Sequence, residues 1–384
     1  MNIVTTLAIQ TPPDPDLGEI AATALYYLGL SAATGVGLTL AYLIPRSGPG
    51  GILAGRAHRI VLPVTVFVAI TGVLELVTGE VKGESEGRAG TGPGGGDGLG
   101  PGGGDGNGPG TTLDPDVVSV IQWGGYVLLV LALVGLYLRS GRAFGWSTVA
   151  AAVATGLAPY IPWGAHSVNR VARDVLNGIH VTGTFLWVGG LLILGVLGLL
   201  GFAKRGAVSS DERSQAADEW ARVWERFSAI ALWAVGMILV SGTWMTWVHV
   251  GTPEQMLTTA YGRYLGIKLL MVGGLLAAGT FNVTVLLPRI RTAQEAGDET
   301  SAFRLAARRF PTVVTAEIML ATGVLCVLPF LEGSARQEAG WPAARSFDWT
   351  VFGVGVVLVG LIALALWSGS RVAARRTPRQ TISG

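Results

Sequence analysis

The sequence is poor in charged residues and almost free of cysteine, and both shortages narrow the class of protein. Only 14% of its 384 residues are charged, 50% are hydrophobic, and the mean hydropathy is +0.51. A soluble protein carries about 25% charged residues. The single cysteine, Cys326, excludes an intrachain disulfide and a zinc cluster built from several thiolates. The composition therefore predicts a polytopic membrane protein.

Several familiar motifs are missing as well. The first residues have neither a basic region nor a long apolar core, so we expect no cleavable signal peptide. The chain has no Walker motif and no DKTG-like phosphorylation loop, which argues against ATP hydrolysis. The formal net charge of +2 gives no indication of nucleic-acid binding, and we expect none.

Nine apolar stretches are long enough to cross a bilayer, which requires about 20 residues each. We therefore predict an all-α bundle of nine transmembrane spans. The predicted spans are Glu19–Ile44, Ile60–Thr78, Val117–Leu138, Gly145–Ile161, Val175–Phe202, Phe227–Val248, Tyr264–Leu287, Phe310–Leu331 and Trp349–Trp367.

Successive connections between the predicted spans are alternately rich and poor in basic residues. One set, with the C-terminal tail, holds 19 lysines and arginines, and the other set holds six. Because basic residues stay on the cytoplasmic side, the asymmetry places the N-terminus outside and the C-terminus inside. We expect a multi-pass protein of the plasma membrane whose main partner is the lipid bilayer.

The chain divides into three regions by this pattern. Residues 1–144 hold three spans, residues 145–331 form a transmembrane core, and residues 332–384 carry the final span and a basic cytoplasmic tail. The connection 81–110 lies outside and contains 15 glycines, a composition typical of a flexible linker. We leave the role of the first three spans and of this linker open.

Three spans that run outward share a short pattern. Each has Thr-Gly or Ser-Gly near its outer end, and three residues after the glycine stand Glu75, Met245 and Cys326. Glycine at such positions allows close helix approach. The pattern predicts that these three side chains reach a similar depth, as possible pathway groups.

Three of the four histidines fall on the predicted outer side. His166 lies in a short connection, His180 lies about two turns into its span, and His249 ends the stretch "SGTWMTWVHVG" four residues after Met245. Residues four apart share a helix face, and thioether and imidazole suit copper. An imidazole inside a membrane indicates function, whereas packing explains a methionine equally well.

Two further charges fall inside the predicted spans. Lys268 lies about one turn into its span, near the depth of His180, and Glu317 lies about two turns in from the cytoplasmic side. Each costs several kcal/mol if left unpaired in hydrocarbon. Lys268 either reaches the outer interface along its stem or pairs with Glu75 or an anionic ligand. Glu317 is a candidate for an exit or proton path.

The central part of the chain resembles a known family. The stretch "GAHSVNRVARDVLNGIHVTGTFLWVGGLLIL", with His-x6-Trp-Val-Gly-Gly, and the later "YGRYLGIKLL", with Tyr-Gly-Arg-x4-Lys, are similar in order and spacing to the CopD family of copper resistance and transport proteins. The resemblance covers about Gly145–Leu331. His166 stands in Gly-Ala-His-Ser where the family has Gly-His-Ala, and no copper-binding β-domain is fused to the chain.

The resemblance implies a membrane copper permease or importer that binds copper, as Cu(I), at the outer face. It implies metal ligands at His166, His180 and His249, with Met245 added from the residue pattern, and a separate periplasmic or extracellular copper-binding protein as partner. One alternative is a haem-binding redox protein resembling the HemJ-type protoporphyrinogen oxidases, with His180 and His249 as axial ligands. Another is an assembly or sensor subunit without transport. Enzymatic activity stays open, though a non-enzyme is favoured.

Overall fold

The computed structural model describes residues 15–44, 52–89, 115–160, 168–203, 210–286, 310–331, 333–341, 348–357 and 359–361, and a few isolated positions. No strand occurs within these ranges, which confirms the all-α fold. The helices are α1 Leu17–Leu38, α2 Ile52–Ala89, α3 Pro115–Arg139, α4 Arg142–Leu157, α5 Val168–Ala203, α6 Ser210–His249, α7 Gln255–Thr258, α8 Ala260–Phe281, α9 Phe310–Cys326, α10 Ala335–Glu338 and α11 Trp349–Leu361.

Six of the described helices are long and apolar enough to cross a membrane, so the chain is a multi-pass membrane protein. They are α1, α2, α3, α5, α6 and α8. The other three predicted spans coincide with α4, α9 and α11. Of these, α9 and α11 are apolar but shorter over their described residues, and α4 has 16 residues. The count of nine spans and the orientation remain predictions.

Helix α1 forms the centre of the bundle. It is the most buried of the six long helices and packs against α2, α4, α5 and α9. Its approach to α5 is so close that a Cβ on Gly189 would collide with the carbonyl oxygen of Ser31. The Trp-Val-Gly-Gly motif therefore serves helix packing: Trp187 and Phe185 are buried beside it.

Helices α8 and α9 form an antiparallel pair at the edge of the bundle. The rings of Tyr264 and Phe330 stack with centroids 4.4 Å apart. Further along, Met271 lies over Gly323, within 2.9 Å of the place where a Cβ would stand. Since residue numbers rise on one helix as they fall on the other, this register puts Lys268 level with Cys326.

Helix α6 packs on α5 and also contacts the last helix. Ser241, Gly242 and Gly183 allow close approaches here, since a Cβ at Gly183 would lie 2.8 Å from the carbonyl oxygen of Ala234. On another side of α6, Gly355 of α11 lies against Val240. The helix is thus held by α5 and α11 along the segment that leads to its end at His249.

Two features of the fold differ from the sequence-based expectation. Helix α2 continues to Ala89, into the glycine-rich connection, and residues 90–114 of that connection lie outside the described residues. Two helices also end in a π-helical turn, Thr39–Leu43 after α1 and Asn282–Leu286 after α8. A π turn often marks a functional position, and Asn282 lies in one.

Candidate metal centre

His249 ends α6 in a fixed orientation. Its Nδ1 lies 2.8 Å from the carbonyl oxygen of Met245, one turn earlier. Because a carbonyl only accepts hydrogen bonds, Nδ1 carries the proton and donates it. The ring also stacks on Tyr261 with centroids 5.9 Å apart and planes at 18°. The Nε2 atom is left with its lone pair and has no hydrogen-bond partner among the described residues.

The start of α8 holds Tyr261 in place beneath this ring. Thr259 caps the helix by accepting from Gly262, whose missing side chain leaves room for the carbonyl oxygen of Gln255. The carboxylate of Glu338 accepts from the backbone N–H groups of Ala260 at 2.7 Å and Tyr261 at 3.0 Å. Two N–H groups at the helix start thereby gain a hydrogen-bond acceptor, which fixes the position of Tyr261, the platform on which His249 stacks.

His180 is held on α5 by a contact with α6. Its Nδ1 lies 3.0 Å from the hydroxyl oxygen of Ser241. That hydroxyl has one proton and gives it to the carbonyl oxygen of Met237 at 2.6 Å. Ser241 therefore accepts from His180, and the Nδ1 of His180 carries the proton. His180 and His249 are thus both protonated on Nδ1, and the His180 ring also makes a hydrogen bond with the backbone of Ile238.

The two imidazoles lie at two levels along α6. Ser241 precedes His249 by eight residues, a rise of about 12 Å. Met245 stands halfway, on the same side of the helix, and packs against the apolar cluster of Leu176, Trp244 and Val248. The described residues contain no group of three or more His, Cys, Asp or Glu side chains that converge on one point. The three described predicted ligands, His180, Met245 and His249, therefore form a row along α6.

The remaining predicted site residues fall into different parts of the bundle. Lys268 of α8 lies within electrostatic range of His180 and has no ion pair among the described residues. Cys326, a free thiol, stands level with Lys268 on α9. Glu75 lies within electrostatic range of Tyr26 and Tyr126, in the N-terminal half. His166 lies outside the described residues, two positions before α5 begins.

Glu317 lies near the opposite end of the bundle from His249. Its Oε1 accepts a hydrogen bond of 3.0 Å from the side-chain amide of Asn282, and both side chains are buried. Helix α8 spans about 33 Å between Ala260 and Phe281, so this pair is remote from the histidines.

Three residues that contact predicted site residues were not anticipated in these roles: Ser241, Tyr261 and Asn282. The first two belong to the Ser-Gly and Tyr-Gly-Arg patterns, which sequence reasoning singled out for helix packing and family resemblance. Asn282 carried a usable signal, since an amide inside an apolar stretch needs a partner. The identity of each partner depends on the packing of two helices and could not be read from one of them.

A comparison with protein-family models finds one match for this part of the chain. Residues 221–331 match the CopD model, described as Copper resistance protein D. The chain is similar to the CopD family over these residues. The match confirms the resemblance over α6 to α9, which includes Met245, His249, Lys268 and Cys326.

The CopD match does not extend to α5, where His180 lies. No curated protein and no solved structure matches the chain. The CopD match and the apolar helices support the conclusion that the chain is a membrane protein linked to copper resistance or transport.

Proposed function

We propose that the protein is a copper permease that receives Cu(I) at His249 and passes it along α6 to His180. The observation that carries this proposal is the shared state of the two imidazoles. In each, Nδ1 lies within hydrogen-bond distance of an oxygen of α6, the Ser241 hydroxyl for His180 and the Met245 carbonyl for His249, so Nε2 is the nitrogen that would bind the metal. Metal-binding histidines have this arrangement, since a hydrogen bond at the other nitrogen orients the ring and raises its basicity.

The row of side chains on α6 suits a soft ion. Cu(I) binds imidazole, thioether and thiolate ligands. Met245 lies four residues from both Ser241 and His249, so each step along the row is a rise of about 6 Å. A transported ion needs several sites that each bind it weakly enough to release it. A row of single ligands meets that need better than a closed cage.

Lys268 lies beside this row of ligands, and its positive charge affects which form of copper can move along the row. A positive charge near His180 opposes a bare cation, whereas it favours copper that carries an anionic ligand. Cys326, the single cysteine of the sequence, lies level with Lys268 in the register of α8 and α9. We propose that both residues border the route beyond His180.

Two wider features belong to the same proposal. The His249 end faces outward in the predicted topology, so copper enters there from outside the plasma membrane. In this proposal, a separate copper-binding protein delivers the ion to His249.

Copper uptake by proteoliposomes that contain the purified protein tests the proposal. We expect Cu(I) uptake by the parent and loss of most uptake in His180→Ala. The matched control is His58→Ala, because His58 stacks on Tyr137 and lies outside the row. Equal uptake by the parent and His180→Ala would contradict the proposed route.

An absorption spectrum of the same preparation separates copper from haem. We expect no Soret band and copper at near-stoichiometric amounts. A strong Soret band that disappears in His180→Ala would instead establish the haem-binding alternative.

A further inference from the structure

The buried pair of Glu317 and Asn282 has an unbalanced set of hydrogen-bonding atoms. The amide Nδ2 of Asn282 donates to Oε1 of Glu317 at 3.0 Å. The second carboxyl oxygen, Oε2, and the amide oxygen, Oδ1, are both buried, and neither has a hydrogen-bond partner among the described residues. Two acceptors are therefore left without a donor in the interior of the bundle.

A single proton corrects this imbalance. Glu317 Oε2 and Asn282 Oδ1 are both oxygens, so an ionised Glu317 has no hydrogen-bond donor for Asn282 Oδ1. A protonated carboxyl has one O–H donor, and the existing bond already holds the carboxyl and the amide together. The proton then allows the acid and the amide to form two complementary bonds, with both orphaned oxygens used.

The surroundings offer no other charge to stabilise a carboxylate. Glu317 is 1% exposed and Asn282 is 8% exposed. Asn282 reaches Glu317 from the end of α8. On the α5 side, Gly195 contacts Val314 and Ile318, which lie on α9 near Glu317, so this contact is apolar. Among the described residues, no titratable or charged side chain of a neighbouring helix acts on the Glu317 carboxyl. An unpaired carboxylate in such a place costs several kcal/mol.

The backbone at Asn282 sets this position apart from an ordinary packing contact. Asn282 is the residue at which α8 changes from an α-helical to a π-helical turn. Its backbone N–H is shared between the carbonyls of Ala278 and Gly279. The amide that meets Glu317 therefore stands at the first residue of the π-helical turn that follows α8.

We propose that Glu317 and Asn282 form a proton-binding site in which Glu317 holds the proton in the resting protein. This site lies outside the row of copper ligands and near the other end of α8. It extends the proposed function and rests on it in one respect: release of this proton compensates the charge of a Cu(I) ion that passes between α8 and its neighbours. The proton itself is a property of the pair and can be measured without copper.

Infrared spectroscopy of the full chain in lipid nanodiscs at neutral pH, without copper, tests the site. We expect the parent to show the C=O stretch of a protonated carboxylic acid that Glu317→Gln lacks. Glutamine places an N–H donor where the acid has its O–H, so this variant keeps both bonds and its fold. Glu254→Gln is the matched control, because Glu254 is exposed and its side chain caps no helix.

A second variant guards against a change of fold in the first. Asn282→Leu removes the N–H that bonds Oε1, so the same C=O band should persist and move to higher frequency. The proposal is overturned if the parent and Glu317→Gln do not differ in this region. It is equally overturned if the band appears only when sodium is removed, since the two oxygens would then hold a metal cation. A normal band in a protein that binds no copper would contradict the proposed function and leave the proton site standing.

Discussion

His180 donates its Nδ1 proton to Ser241 across the α5–α6 contact, over a distance of 3.0 Å. The bond fixes the ring and its tautomer at once, because the Ser241 proton is already given to Met237. It joins a helix outside the CopD match to one inside it. The orientation of His180 is therefore a property of two helices together.

Removal of the Ser241 hydroxyl should weaken copper binding without removing a ligand. We expect Ser241→Ala to lower the affinity for Cu(I) by about 10- to 100-fold, the usual cost of losing a partner that orients a metal-binding histidine. Competition titration with a Cu(I) chelator measures this. Thr243→Ala is the control, because Thr243 makes the same kind of bond to a carbonyl one turn earlier and has no contact with His180. Equal losses in both variants would show a general effect on α6.

Met245 should contribute to copper binding through its sulfur alone. Met245→Leu keeps volume and apolar character, so the packing against Leu176 and Trp244 should survive with a stability change below about 1.5 kcal/mol. We expect the Cu(I) affinity to fall by about tenfold, and His249→Ala to lower it further. Met319→Leu, at an exposed position on α9, is the control. An unchanged affinity in Met245→Leu would assign Met245 to packing only.

Glu338 should stabilise the platform on which His249 stacks. Its carboxylate satisfies two N–H groups at the start of α8, so Glu338→Ala should destabilise the protein by about 1 kcal/mol. Hydrogen exchange should rise most at Ala260 and Tyr261. Glu254→Ala, at an exposed side chain without a cap bond, should leave both readouts unchanged. Unaltered exchange at Tyr261 in the Glu338 variant would mean that the cap does not hold the platform.

The predicted orientation can be checked by labelling single cysteines in intact cells. In a Cys326→Ser background, a cysteine at Gly98 should react with an impermeant reagent, whereas one at Arg205 should react only after the cells are opened. The motive is the excess of basic residues in one set of connections, 19 against six. Labelling at Arg205 in intact cells would reverse the topology, and with it the proposed direction of entry.

The sequence was sufficient to predict the helices, but it could not predict which side chains of different helices meet. Apolar length identified the helical stretches. The functional role of His180, predicted from its position within a span, stays a prediction. The spacing of Met245 and His249 predicted one helix face, but not that His249 would bond the Met245 carbonyl rather than lie free.

Other contacts depend on features that no single helix contains. Ser241 meets His180 because α5 and α6 approach closely at Gly183. Asn282 meets Glu317 because of the antiparallel register of α8 and α9 and the π turn at its end. The separation of His180 and His249 into two levels along α6 also follows from this packing.

X-ray absorption at the copper edge of the purified, Cu(I)-loaded protein tests the central claim most directly. The claim is that the Nε2 atoms of His180 and His249 bind copper, with Met245 between them. We predict imidazole scattering that falls in His180→Ala and in His249→Ala, and a sulfur contribution that falls in Met245→Leu. His58→Ala should leave the spectrum unchanged. Copper that shows no imidazole scattering, or a spectrum that stays the same when both His180 and His249 are replaced, would contradict the account.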